Sequence, residues 1–226
     1  MRIPPVISGL ALGMVLASTA PAATLEQTLA RMDQSAASFR SMSAKVRNLA
    51  HTAVINEDSV DSGTMRLKRS KQQLLMLIDL VEPDPKTVAF QGRKVEVYFP
   101  KIKTVQEYDI GKNRALVEQF LLLGWGTSGK EIAAGYAIKP MDEETISGQK
   151  ADRLELIPKA PEVLKHVRKL ELWIGPAGYP LQQKLYFPAG DYKLVTYSEM
   201  KINPDLPDSA LRLNLPKGVT REYPQK

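Results

Sequence analysis

The stretch V-A-F-Q-G-R-K-V-E-V-Y-F-P, Val88 to Pro100, decides the fold class of this chain. Gln91-Gly92-Arg93 is a turn signal, and Lys94 to Phe99 then alternates strictly: Val95, Val97 and Phe99 face one way, Lys94, Glu96 and Tyr98 the other. Successive side chains of a strand point to opposite faces, so the pattern predicts a half-buried strand behind a tight turn. The same texture recurs from Ser41 onward. Gly63 to Arg69 sets Met65 and Leu67 against Arg66 and Lys68, and Leu170 to Ile174 sets Leu170, Leu172 and Ile174 against Glu171 and Trp173. Leu181 to Phe187, Tyr192 to Ser198 and Leu211 to Leu215 continue it. Gln73 to Leu80 (QLLMLIDL) is apolar on both faces, so both of its sides must be covered.

Turns punctuate these runs at Glu82-Pro83-Asp84-Pro85, Ser147-Gly148-Gln149, Gly175-Pro176-Ala177-Gly178 and Pro188-Ala189-Gly190-Asp191. Such spacing predicts one large antiparallel sheet joined by hairpins, as a barrel or a strongly curved sheet. Two helices interrupt it. Thr24-Leu25-Glu26-Gln27 reads as a capping box, followed by Leu25, Leu29, Met32 and Ala36 at helical spacing, which predicts a helix over 24–38. Leu116, Val117, Phe120 and Leu123 lie on one stripe of a second, amphipathic helix over 113–123, stopped by Gly124. Residues 160–168, with Pro161, read as loop or short helix.

The segment G-W-G-T-S-G-K-E, Gly124 to Glu131, misses a phosphate-binding P-loop by its last residue. A helix precedes the glycines, Glu131 stands where a Mg-binding Ser or Thr belongs, and no βαβ alternation surrounds the match. A nucleotide site is therefore not expected. No cofactor and no metal is expected either. The chain has no cysteine and two histidines, His51 and His166, both read as surface or rim residues. The carboxylates of Met141 to Thr145 lack calcium-loop spacing and read as a solvated hairpin. No serine sits in a nucleophile elbow, so the chain carries no constellation for an enzyme.

Arg2, the apolar run Val6 to Ala17 and Ala20-Pro21-Ala22 have the shape of an export signal over 1–22, with cleavage near Ala22 or Ala23. The run is short of the ~20 apolar residues of a membrane span. The expectation is a soluble, periplasmic, monomeric single domain over 23–226, with no cysteine to carry a lipid. The net charge of +6 is scattered, without the concentrated basic patch that nucleic-acid binding needs.

A curved sheet one layer thick has a concave face to fill. If the helices fill it permanently it is a core, and if they sit on it loosely it can hold a lipid. One residue bears on the choice: strand parity places Arg69 on the face of Met65 and Leu67, where an arginine needs acceptors, unless the parity slips at the strand end and the side chain points to water. Carbonyls of a lid helix or its flanking loop could supply them.

These pieces resemble, in order and over nearly the whole chain after the leader, the periplasmic lipoprotein carrier family (LolA type, with LolB as its lipidated relative). The matching motifs are the opening helix leading into F-R-S-M-S-A-K-V, the strand ending L-K-R-S, the block Val88 to Pro100, L-L-L-G-W-G, and the terminal L-N-L-P-K-G-V-T. The resemblance implies an open, incomplete antiparallel β-barrel (mainly β with helices) covered by a lid of short α-helices. It implies a shuttle that hides lipoprotein acyl chains between an inner-membrane ABC-type release complex and an outer-membrane acceptor. The family's lid-holding arginine falls on Arg69, while Ser70 replaces a proline frequent in the family. The expected acyl-chain cavity is Met65, Leu67, Leu75, Leu77, Phe90, Val95, Val97 and Phe99. The expected lid is Leu116, Phe120, Leu123 and Trp125, with Arg69 as its latch. Carriers of free lipid or glycolipid, and periplasmic sensors of lipid, remain compatible with the same surface.

Overall fold

The computed structural model describes residues 23–69 and 73–225 of the 226-residue chain. The expected export signal and Ser70 lie outside the described residues. Helix α1 (Leu25–Ser38) begins on the expected capping box: Thr24 accepts from the Gln27 amide and the Gln27 side chain accepts from the Thr24 amide. Strands β1 (Ser41–Thr52), β2 (Glu57–Arg69), β3 (Leu74–Glu82), β4 (Lys86–Gln91), β5 (Lys94–Phe99) and β6 (Thr104–Asp109) follow, each antiparallel to the one before. Helices α2 (Arg114–Leu122) and α3 (Gly129–Gly135) come next. The second group of strands is β7 (Tyr136–Pro140), β8 (Glu144–Ile146), β9 (Gln149–Pro158), β10 (Lys169–Ile174), β11 (Pro180–Tyr186) and β12 (Tyr192–Ile202), with the four-residue helix α4 (Pro161–Leu164) between β9 and β10. A short β13 (Thr220–Glu222) pairs parallel with β6.

One 13-stranded sheet results, in the order β13-β6-β5-β4-β3-β2-β1-β12-β11-β10-β9-β7, with β8 paired to β9 off this path. It is curved and unclosed, as the alternating segments and hairpin turns predict. The β1–β12 ladder, Met42 opposite Ile202 through His51 opposite Tyr192, joins the two groups of strands. The two ends of the path are β6 with its short β13 partner and β7. The chain from Ile110 to Gly135, carrying α2 and α3, is the connection between β6 and β7, so both helices belong to the segment that runs from one end of the sheet to the other.

Ladder register fixes which residues share the inner face. Met42, Leu67, Met76, Phe90 and Val95 form one row across five strands; Ala44, Met65, Ile78, Val88 and Val97 form the next. Two apolar clusters cover this face. One joins these rows to Phe39, Trp125, Tyr179 and Tyr197, and α2 packs on it through Val117, Leu121 and Leu122. The other joins Leu154, Leu156, Leu170, Leu172 and Ile174 to Met32 of α1 and Ile132 of α3.

The register corrects two expectations. Leu75 lies opposite Lys68 and Leu77 opposite Arg66, so both point away from the inner face. Because β3 is apolar on both sides, its alternation could not say which set faced in. The set that does is Leu74, Met76, Ile78 and Leu80. The second correction concerns Leu211 to Leu215, which form no strand. A 3-10 turn (Asp208–Leu211) and the extended chain around it place Leu206, Leu211 and Leu213 on Leu75, Leu77 and Ala89. This strap is held by Lys68 donating to the Leu206 carbonyl (2.8 Å), Arg66 to that of Ala210 (3.1 Å) and Gln91 to that of Leu211 (2.5 Å). The doubly apolar β3 is thus covered on both sides: by the inner-face cluster and by the strap. The outer face of the other half is ionic instead. Glu171, buried, accepts from Arg153 (2.8 Å) and Lys169 (3.1 Å), and Glu144 pairs with Arg153 and accepts from the Trp173 indole (2.9 Å). Glu144 is therefore an ion-paired strand residue where a solvated hairpin was expected.

Candidate lipid cavity and its helical cover

The near-P-loop segment has a structural explanation. Ser128 accepts from the Glu131 amide and the Glu131 carboxylate accepts from the Ser128 amide (2.7 Å), which is the capping box that starts α3. Glu131, the residue that spoils the nucleotide motif, is the one the helix needs there. Hydrogen bonds from Ser128 hold its carboxyl below the usual carboxylate range. The signal Ser-x-x-Glu was present in the sequence, and α3 was the helix missed.

Between α2 and α3 the chain is rooted in the core. Trp125 is fully buried, stacked on Tyr179 (5.9 Å, 16°), edge-on to Tyr197 (5.1 Å, 82°) and tilted against Phe39 (6.1 Å). Leu123 is 2% exposed. Both were expected in a movable lid, but they lie past the end of α2, where the aromatic cluster fixes Trp125 and the cluster of Leu154, Leu156 and Leu172 fixes Leu123. α2 itself is different: none of its residues is buried. Phe120, Leu121, Leu122 and Val117 are half-buried against the two clusters, and Leu116 is half-buried in neither.

Two polar side chains of the sheet hold the root. Arg69, exposed at the end of β2 and opposite the inward Leu74, donates from Nη1 to the Gly126 carbonyl at 2.7 Å. Gly126 has φ +74°, and a Cβ there would stand 2.8 Å from the Phe39 ring and 3.2 Å from the Arg69 guanidinium, so only glycine fits between them. On the other side Gln183, buried among apolar neighbours of β11, donates to the Leu123 carbonyl and accepts from the Tyr197 hydroxyl (2.7 Å). Burial pushes the Tyr197 hydroxyl up to about 12, so it stays protonated and donates. Gln183 was missed at the sequence level. Its sequence signal is a polar residue in the alternation Leu181-x-Gln183-x-Leu185, although a register shift at Pro180 turns Leu181 to the outer cluster with Trp173 and only Leu185 shares the inner face with Gln183.

Under α2 lies a cavity of about 380 Å³, within the range of small-molecule sites. Its floor is Val46, Met65, Met76, Ile78, Leu80 and Val88, its far wall Leu185, Val195 and Tyr197, and its cover Phe120 and Leu121. Of the expected cavity residues, Met65 lines this space directly. Leu67 and Phe90 are buried in the packed row beside it, with Val95 against them. Val97 shares the inner face opposite Val88, half-buried, and Phe99 stands at the rim with Pro85 and Ile102. Among the described residues no three His, Asp, Glu or Cys gather where a metal ion could be held, and no helix is long and apolar enough to cross a membrane. His51 caps β1 against Asp58 (2.7 Å) and stacks on Tyr192 (4.8 Å).

The geometry defines a class: an open, curved antiparallel sheet with an apolar hollow under short helices. No protein-family model and no curated protein matches the chain. Similar solved structures include a conserved protein from Thermus thermophilus (13% identity over 88% of this chain and 98% of that one, TM-score 0.52) and MucB (13% over 84% of this chain, TM-score 0.51). This chain spans 62% of the length of the MucB chain. A LolA superfamily protein from Nitrosomonas europaea is similar at 16% identity over 85% of this chain and 99% of that one, with a TM-score of 0.41. At such identities the likeness to the Thermus protein and to MucB is one of fold alone.

Proposed function

We propose that this protein is a periplasmic carrier that holds acyl chains on the inner face of its sheet, beneath α2, and passes them between membranes, the acyl chains of lipoproteins being the cargo. The observation that supports it most is the combination of an apolar hollow with a cover that has no buried residue. Each methylene removed from water contributes ~0.8 kcal/mol, so a long acyl chain contributes on the order of 10 kcal/mol. Full burial of a Leu or Phe side chain is worth ~1.5–3 kcal/mol, and the α2 side chains have only part of that to lose. Cargo therefore competes well with the helix for the same surface.

In this reading Arg69 is the latch. Its bond to Gly126 steadies the cover in the unloaded form, and the swing of α2 on loading pulls the Gly126 carbonyl off the guanidinium while Trp125 stays seated. The strained form then gives cargo to a better acceptor. Arg69→Leu keeps the fold but binds cargo too tightly to pass it on. Transfer at the wild-type rate in that variant would remove the latch from the account.

Native mass spectrometry of protein purified from the periplasm without detergent tests the carrier reading. Triacylated lipoprotein bound one to one supports it. Free phospholipid or glycolipid keeps the cavity and changes the cargo. A clean apo mass, with no uptake when lipoprotein is offered, makes the hollow an ordinary core.

A further inference from the structure

Tyr136 opens β7, the end strand of the sheet, directly after α3. It has the parity of Ile138, which lies opposite Leu156, and its ring packs with Ile132, Leu154 and Leu156 at 3% exposure. The hydroxyl is thus a polar group placed among apolar ones. Gln119, in the middle of α2, donates to it from Nε2 at 2.8 Å. That bond ties the cover to the edge of the sheet. Phe120 and Leu121 roof the hollow, whereas Gln119 and Leu122 border a separate cleft of about 270 Å³ together with Tyr136, Gly135 and Leu123.

The tie leaves the hydroxyl half satisfied. It accepts from Gln119, but its own hydrogen has no acceptor among the described residues. Burial pushes the phenol up, so the hydroxyl keeps that hydrogen and remains a donor. When α2 swings away, Gln119 leaves with it, and an unpaired hydroxyl on an apolar surface is costly. The group that replaces Gln119 has to arrive with the acyl chain. A charged head group has little to gain there, because each charge bordering the cleft already has a partner. Arg69 is bonded to the Gly126 carbonyl, Glu131 to Ser128, and Glu118 to Arg114 at 2.8 Å.

We infer that Tyr136 is a cargo-binding residue: as α2 swings, its hydroxyl exchanges the Gln119 amide for the neutral carbonyl of an acyl ester or amide, to which it donates. This rests on the acyl-chain reading of the hollow and sharpens it, because the apolar rows make no distinction between one polar end and another. Phe120 connects the two places, since it roofs the hollow and also packs on the cluster that holds Tyr136. Lifting it joins them into one surface, with the tail over Met65 and Ile78 and the carbonyl at the edge strand. In the unloaded form the carboxamide of Gln119 occupies the place of that carbonyl, and it is also a catch on the cover.

The test is displacement of a fluorescent acyl probe by methyl palmitate, N-methylpalmitamide and hexadecyl methyl ether, which share a sixteen-carbon chain; only the first two carry a carbonyl. The full chain without its leader is used, as wild type, Gln119→Leu and Tyr136→Phe. The two variants break the same hydrogen bond from opposite ends, so a catch with no role in binding would make them alike. The wild type is expected to prefer at least one carbonyl ligand over the ether by about fivefold, the worth of one hydrogen bond. Both variants should bind the ether about threefold more tightly, because the catch is gone. Gln119→Leu should keep the carbonyl preference, and Tyr136→Phe should lose it. Equal affinity for all three ligands in the wild type, a preference that survives Tyr136→Phe, or ether affinity that neither variant changes overturns the inference and leaves the hollow standing. If none of the three binds the wild type, the acyl-chain reading itself fails. Circular dichroism of both variants confirms that the fold is kept.

Discussion

The segment between β6 and β7 covers the inner face in two unlike ways. From Leu123 to Gly126 it is buried, ringed by Phe39, Tyr179 and Tyr197 and tied to the sheet through Arg69 and Gln183. Over the nine residues just before, α2 lies on the same face with nothing fully buried. The two stretches are contiguous and both present large apolar side chains to the sheet, so side-chain type alone does not explain the contrast. Packing does: Trp125 fills a site lined by three aromatic rings, whereas Phe120 and Leu121 sit over a hollow. A cover anchored at one end and loosely packed along its length is suited to swing while staying attached.

The comparison can be broken most sharply at Trp125. Trp125→Ala is expected to cost ~3–5 kcal/mol in urea unfolding, as for a large core side chain, whereas Leu116→Ala should stay within ~1 kcal/mol. Equal costs would mean that root and helix are packed alike. Gly126→Ala comes next. The left-handed backbone costs roughly 1–2 kcal/mol, and the added methyl presses on Phe39, so a loss of about 2 kcal/mol or more is expected. The Gly126–Arg69 contact should be lost with it, and the variant's acyl-chain uptake should resemble that of Arg69→Leu.

The outer face supplies a reference that the cover should not influence. Burial pushes the Glu171 carboxyl up, but hydrogen bonds and charges from Lys169 and Arg153 outweigh that and leave it below 4.5, its ordinary value. A carboxyl depressed in the folded state contributes stability that is present above its ordinary value. That stability is lost as pH falls through the folded value. Stability should therefore decline below about pH 4.5, and Glu171→Gln should flatten that acid limb without changing acyl-chain binding. A binding change would couple the two faces. The smallest effect is expected at the cavity roof: Phe120→Ala should leave the unfolding midpoint nearly unchanged but alter acyl-probe affinity measurably. A large stability loss there would place Phe120 in the permanent core.

How far the sequence could be read follows from the same physics. Strands alternating on one buried face, such as Lys94 to Phe99, announced both their existence and their inward set. β3 announced itself as a strand but hid its parity, because Leu75 and Leu77 are as apolar as Leu74 and Met76; only the ladder with β2 resolves that. Leu211 to Leu215 mimicked a strand because a strap laid on an apolar face needs inward leucines too. Arg69 was legible as a polar residue on an apolar parity; Gln183 carried a weaker form of that signal, because the register shift at Pro180 turns Leu181 to the outer cluster. Trp125's burial was not legible, since it depends on Tyr179 and Tyr197, more than fifty positions downstream.

The most direct test of the hinged cover is amide hydrogen exchange on the unloaded protein and on protein loaded with acyl ligand. Amides of 114–122 should exchange much faster than those of 123–126 in the unloaded form, and their rates should change most on loading. Equal, slow exchange across both stretches, unaltered by ligand, would contradict the account and make α2 part of a closed core.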